Sequence, residues 1–476
     1  MKAGFAYGKE QAESNSLRRG AVLLLVKRIL TLAIPSIATF SSMTFTGLLV
    51  LMIVGNLGAA SIAVVGITNI IIYNLWALFS GVQGAINFLV AQNYGSGNIR
   101  QGNQRMQIAL IITAVQGITL LIGSFLLPYG ILYLMGSNET ILSLGTPYLL
   151  VRMIALIFTM FNTVFFAYMR AVGDTRTPMA LSLVNSALVV SLTYVLAYGK
   201  FGFPELGLQG AAWSMVTAEG VTLLLSVIVY YGFMSVPYAT RGWIRIEIQQ
   251  VRLLLFESIK LGITELSNSV GMLVFTACIT RLGTTAIAAN EIALNILSFG
   301  FMPSNGFGAA ATIGIGQEVG KGNGVAARRF GIVTVYLGLI FMALISVVFF
   351  LFALPIAKLY TSETAVYETA ISLIHLTACV QLFTGANIIF GGGLRGIGDT
   401  TFLSRTALVL NWLLFIPLTI LLTRVLDWGQ TGAWSALCLL IVLSAVANGW
   451  RYLTLDWSRV KATTGKIPVT SAAGHM

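Results

Sequence analysis

Charge is what this sequence has least of. Asp, Glu, Lys and Arg make up 9% of its 476 residues, against 57% hydrophobic, where a soluble chain carries roughly 25% charged side chains. So little charge cannot give the protein a water-facing surface, and its solvent over most of its area is lipid. Histidine is nearly absent: only His375 and His475 occur, which argues against a histidine-based metal centre. The three cysteines, Cys278, Cys379 and Cys438, sit in apolar stretches without ligand spacing or a pairing pattern, and read as small core residues. There is no Gly-x-x-x-x-Gly-Lys-Ser/Thr run for nucleotide phosphates. Clustered catalytic acids, histidines and metal ligands are missing too, so neither an enzyme nor a cofactor is expected. The start of the chain is polar through Gly20 and lacks the short apolar run and small-residue cleavage site of a secretory signal.

What the sequence does have is long apolar runs. A helix crossing a bilayer needs about 20 such residues. Runs of that order lie near 30–54, 63–88, 106–130, 146–169, 178–199, 209–233, 254–279, 286–312, 330–353, 366–391, 403–423 and 431–454. They predict an all-α integral membrane protein of about twelve transmembrane helices. The basic central break divides it into an N-terminal arm and lobe (1–237), a linker (238–252), a second lobe (253–456) and a disordered tail (457–476). The net charge of +12 would suggest nucleic acid in a soluble protein. Here it reports topology, and no nucleic-acid partner is expected. Of the 28 Lys and Arg residues, Arg152 falls within a span and Lys200, Arg281, Lys358 and Arg424 fall in one set of loops. All the others gather in the termini, the linker and the alternate loops. By the positive-inside rule both termini and the linker are cytoplasmic, as expected for a multi-pass protein of the cell inner membrane.

The two halves repeat. Leu57-Gly58 matches Leu282-Gly283 at an offset of 225 residues, and Gln92 matches Gln317 at the same offset. So do Gly95-Ser96-Gly97-Asn98 with Gly320-Lys321-Gly322-Asn323, and Arg170-Ala171-Val172-Gly173-Asp174-Thr175 with Arg395-Gly396-Ile397-Gly398-Asp399-Thr400. An even number of spans per half makes the repeats parallel. They are then related by a pseudo-twofold axis along the membrane normal, with a substrate site expected between them. Asp174 and Asp399 each lie beside an arginine at a turn, where local pairing and turn capping account for them.

In these loops the sequence resembles the MATE (multidrug and toxic compound extrusion) family. The resemblance rests on the two repeated motifs just given, with Leu89-Val90-Ala91 before Gln92 and Gly316 before Gln317. It is extended by Ala286-Ile287-Ala288-Ala289-Asn290 and Phe301-Met302-Pro303. It implies two pseudo-symmetric six-helix lobes in a V and an antiporter. Such an antiporter exports organic cations or other amphipathic small molecules in exchange for protons or sodium ions. A lipid or oligosaccharide flippase of the same superfamily is the alternative, and the chain is expected to act as a monomer.

Intramembrane carboxyls mark candidate coupling sites, because an ionised one is costly at the bilayer centre. Glu265 in span seven, with Ser267, Asn268 and Ser269 nearby, is the foremost, and a sodium ion near it is an option. Glu291, Glu219 and His375 are the other coupling candidates. Asn268, Tyr73, Trp76, Phe161, Gln381 and Asn387 are candidates for the substrate cavity, the aromatics by cation–π attraction. Some members of the family carry a functional acid in span seven, and that position falls near Asn268, about one turn from Glu265. Many also carry an acid in span one. Here Val50 stands at that position and span one has no carboxylate, which moves the expected coupling to the C-terminal lobe or to Glu219.

Overall fold

A computed structural model of the chain describes residues 2–463, apart from 137, 243 and 362. The expected tail from 464 onward, with Lys466 and His475, lies outside the described residues. Twelve helices among the described residues are long and apolar enough to cross a membrane. In lipid the backbone must satisfy its own hydrogen bonds, which is why a chain of this composition becomes helices. Spans one to six are Val22–Gly55, Ala59–Phe79, Ile99–Leu126, Glu139–Ala171, Arg176–Tyr198 and Gly207–Phe233. Spans seven to twelve are Ile248–Leu282, Thr285–Gly320, Gly324–Leu351, Thr364–Ile397, Thr400–Val425 and Gly429–Thr454. They form two six-helix lobes.

Three boundaries differ from the sequence reading. The first helix runs unbroken from Lys2 to Gly55. Span seven begins at Ile248, inside the stretch read as linker. Within residues 457–463, read as disordered, Trp457 is buried and its Nε1 donates to the Tyr452 carbonyl at 3.2 Å, and Val460 and Ala462 are partly buried, while Ser458, Arg459 and Lys461 are exposed.

The repeat is visible in the joints. Gly97 and Gly322 have φ of 73° and 75°, a conformation costly for other residues. The next residues, Asn98 and Asn323, cap the following spans by accepting from the Gln101 and Ala326 amides at 3.2 and 3.0 Å. The repeated Gly-x-Gly-Asn run is therefore a turn followed by a helix cap. Span two breaks at Ser80 into a further helix, Gly81–Gly95, whereas its counterpart, span eight, is continuous with Pro303 inside it.

Glycines also set where the lobes touch. A Cβ on Gly81 would overlap the Ser258 carbonyl of span seven. One on Gly306, 225 residues later, would overlap Ile37 and crowd the Ala33 carbonyl of span one. The lobes thus meet along span one against span eight and along span seven against the helix Gly81–Gly95, with backbones in contact.

Within the second lobe Trp434 is fully buried. Its ring meets Phe275 edge-on at 5.9 Å and its Nε1 donates to Asn290 Oδ1 at 3.1 Å. Trp434→Ala is expected to destabilise the protein by about 3–5 kcal/mol, read as earlier thermal unfolding in detergent micelles.

Candidate functional site at the lobe interface

The ends of the helices near the linker carry most of the polar contact between lobes. Gln92 Nε2 donates to the Gly396 carbonyl, and Gln317 Nε2 donates to the Ala171 carbonyl, each at 2.9 Å. Donors and acceptors alike are 225 residues apart, so one bond is the pseudo-twofold copy of the other. Beside them Arg28 pairs with Glu318 at 2.7 Å and Arg105 reaches Gln250 at 3.2 Å. These contacts close a floor between the lobes.

Above that floor stands Glu265. Its carboxylate is 3.9 Å from the Arg395 guanidinium, and both side chains are about one-third exposed, at 32%. The equivalent pair in the first lobe is Phe40 and Arg170, where the guanidinium lies over the phenyl ring at 5.8 Å. One lobe therefore has an ion pair where the other has a cation–π contact, and the acid is confined to the second lobe. On span two of the other lobe, Tyr73 is exposed and stacks on Trp76 at 5.8 Å. Ser269, one turn beyond Glu265, donates to Asn74 Oδ1 of the same span at 2.8 Å. The site thus joins a carboxylate, a guanidinium, an exposed tyrosine and neutral amide and hydroxyl groups from both lobes.

Glu219 builds a second polar node inside the first lobe. Its carboxylate accepts from Asn162 Nδ2 at 2.8 Å and Asn185 Nδ2 at 3.1 Å. Thr222 and Ser226 donate to the carbonyl oxygens of those amides, each at 3.2 Å. Every strong acceptor of this network has a donor, which is what a buried polar cluster requires.

The other sequence candidates are dispersed. Glu291 is exposed on span eight, and its carbonyl accepts from Asn295 Nδ2 at 2.8 Å. His375 packs on Phe350 of span nine with rings 4.9 Å apart. Asn268 faces span eleven, where Asn411 donates to it at 3.0 Å. Asn387 accepts from Asn448 at 2.8 Å, and Phe161 lies half-buried beside Gly117 of span three. Gln381 is fully buried against Gly300, with no partner for either amide atom among the described residues.

Sequence reasoning missed Arg395 as the partner of Glu265. It also assigned local ion pairing to both turn aspartates. Asp174 does cap its turn, accepting from the Arg176 and Thr177 amides at 3.1 and 3.0 Å. Asp399 instead pairs with Arg451 of span twelve at 2.8 Å. Gly398, with φ of 88°, ends span ten and turns Asp399 away from Arg395.

Two parallel six-helix lobes around a polar cleft define a multi-pass membrane transporter. The chain belongs to the MatE family, whose model matches it twice, over residues 35–195 and 261–421. That double match falls on the two halves of the repeat. The protein named "Probable multidrug resistance protein NorM" of Pseudomonas putida is 30% identical over 430 residues, covering 88% of this chain and 89% of that one. The Thermotoga maritima protein of the same name is 24% identical over 451 residues, covering 94% and 96%. Among solved structures, a mutant of the Vibrio cholerae MATE transporter VcmN matches with a TM-score of 0.83 at 19% identity, over 91% of this chain and 98% of that one. A MOP superfamily transporter from Pyrococcus furiosus matches with a TM-score of 0.80 at 20% identity, over 90% and 95%.

Proposed function

We propose that this transporter is a multidrug exporter of the cell inner membrane that carries amphipathic organic cations outward in exchange for protons, by alternating access. The observation that carries the proposal is the Glu265–Arg395 pair, set between the lobes with the exposed Tyr73 on the facing span. An ionised Glu265 attracts a cation, and the exposed Tyr73 ring offers it a π face. Protonation cancels the carboxylate charge, leaves Arg395 unopposed and repels the cargo. The two loads then exclude each other, as antiport demands. Arg395 has no acceptor with which to ligate a sodium ion beside Glu265, whereas a proton needs the carboxyl alone.

The excess of Lys and Arg on the linker side supports cytoplasmic termini and a cytoplasmic linker. The closed floor then faces the cytoplasm, and the cleft above it faces outward. Both lobes come from one chain, so a monomer is the proposed unit.

The test is transport by the purified protein in vesicles loaded with a fluorescent cation, with pH and sodium gradients imposed separately. Counterflow driven by the pH gradient alone is expected. Counterflow driven only by sodium would move the coupling to that ion, and no cation movement under either gradient would favour a flippase.

A further inference from the structure

We propose that the segment Leu455–Thr463 is a strap that latches the floor between the lobes, and that Arg28 is its counterpart on the other side of the pseudo-twofold axis. The proposal rests on the alternating-access reading, in which the floor must open once per cycle.

The two floor glutamines each use the amide nitrogen to bind the opposite lobe. Each is then left with an amide oxygen to satisfy. Gln317 Oε1 accepts from Arg28 Nη2 at 2.9 Å, while the other Nη of Arg28 holds Glu318 at 2.7 Å. Gln92 Oε1 accepts from the Thr463 backbone amide at 2.7 Å. The same residue's carbonyl accepts from Arg105 Nη2 at 3.1 Å. Equivalent oxygens are therefore held by different devices: a side chain near the start of the chain, and a stretch of backbone near its end.

The strap spans the two lobes. It leaves span twelve and is pinned to the second lobe by Trp457, whose ring lies 4.8 Å from Tyr452 and whose carbonyl lies against Gly324. Any side chain at 324 would overlap that carbonyl. Its far end reaches Gln92 and Arg105 of the first lobe. Arg105 is itself buried and fixed, donating to Asn93 Oδ1 at 2.7 Å and to Gln250 Oε1 at 3.2 Å. When the lobes part on this face, the Gln92–Gly396 and Gln317–Ala171 bonds must break. The strap, anchored on one lobe and bonded to the other, must release at Thr463. It therefore weights the equilibrium toward the form closed on the linker side without touching the cargo site.

Because Thr463 acts through its backbone, proline is the selective probe: it removes the amide donor. Thr463→Ala keeps both backbone contacts. The readout is the distance between spin labels on the full-length protein in lipid nanodiscs, without gradient or cargo. The labels are placed at Arg100→Cys and Val325→Cys, exposed equivalent positions on the two lobes. The background has Cys278, Cys379 and Cys438 replaced by Ala. In a chain ending after Ser458 the ratio of long to short distances is expected to rise about tenfold, the effect of losing two hydrogen bonds, and in Thr463→Pro, which loses the amide bond alone, about threefold. Thr463→Ala should match the parent. A parent-like distribution in both Thr463→Pro and the shortened chain would overturn the strap, as would an equal shift in Thr463→Ala. Failure of cation counterflow, by contrast, would overturn the transport reading and leave these distances unaffected.

Discussion

In vesicles with a pH gradient of one unit, Glu265→Gln should abolish the gradient-driven accumulation of cation. One unit is worth about 1.4 kcal/mol per proton, so one-for-one exchange sustains a concentration ratio of about tenfold. Glutamine keeps the size and the acceptor oxygen of glutamate but neither titrates nor carries charge. The proton term then vanishes, and the ratio should fall about tenfold to that of passive distribution. Arg395 also loses its only acidic partner within 4 Å among the described residues. Cation binding should therefore weaken as the net charge of the site becomes positive. Glu265→Asp should titrate but hold Arg395 less closely, retaining coupling with a shifted pH profile. Glu219→Gln provides the contrast. Its amide would turn one NH2 group toward the NH2 of Asn162 or Asn185, leaving a buried donor unpaired at a cost of about 1–3 kcal/mol. The expected result is lower thermal stability with coupling retained. Equal uncoupling in both variants would share the proton site between the lobes, and uncoupling in Glu219→Gln alone would place it in the first.

How far the sequence carries depends on which forces act at long range. The twelve spans are legible because lipid leaves the backbone no alternative to helix, and hydropathy measures that directly. The Gly-x-Gly-Asn turns are legible because left-handed backbone and an amide cap need those residues locally. Partners across the lobe interface are not local, and there adjacency misleads. Arg395 stands four residues from Asp399, yet Gly398 reverses the chain and sends the two side chains to different helices. Asn162 drew no notice because a lone amide in an apolar span has no pattern, although it holds Glu219. The 225-residue offset was the available signal. It aligns Phe40 with Glu265 and Arg170 with Arg395, marking a repeat position in the cleft where one lobe has an acid and the other does not. The same offset pairs Gln92 with Gln317, whose reciprocal bonds only the folded chain reveals.

Alanine at Gly95 or Gly320 should open the floor, and the two variants should behave alike. Replacing a helical glycine with alanine ordinarily favours the helix by up to about 1 kcal/mol. Gly66 in span two shows the ordinary case: nothing lies within 4 Å of a Cβ built there, so Gly66→Ala should leave transport intact and raise thermal stability slightly. At Gly95 a Cβ would overlap the Gln317 carbonyl, and at Gly320 it would overlap the Gln92 carbonyl. These obstacles are backbone atoms of helices that cannot yield by changing a rotamer, so the helices themselves must separate. Overpacking of this kind costs typically 1–3 kcal/mol. Here the strain can be relieved by parting the lobes, which gives up the bonds of Gln92 and Gln317. The form closed on the linker side loses stability relative to the open one, while the interior of each lobe is untouched. Counterflow should drop about tenfold or more, since 1.4 kcal/mol of bias is a factor of ten in population. The long distance between labels at Arg100→Cys and Val325→Cys should become dominant. If either variant kept both the parent's distances and its transport rate, the glycine crossing would be a packing detail and not the seat of the floor's closure.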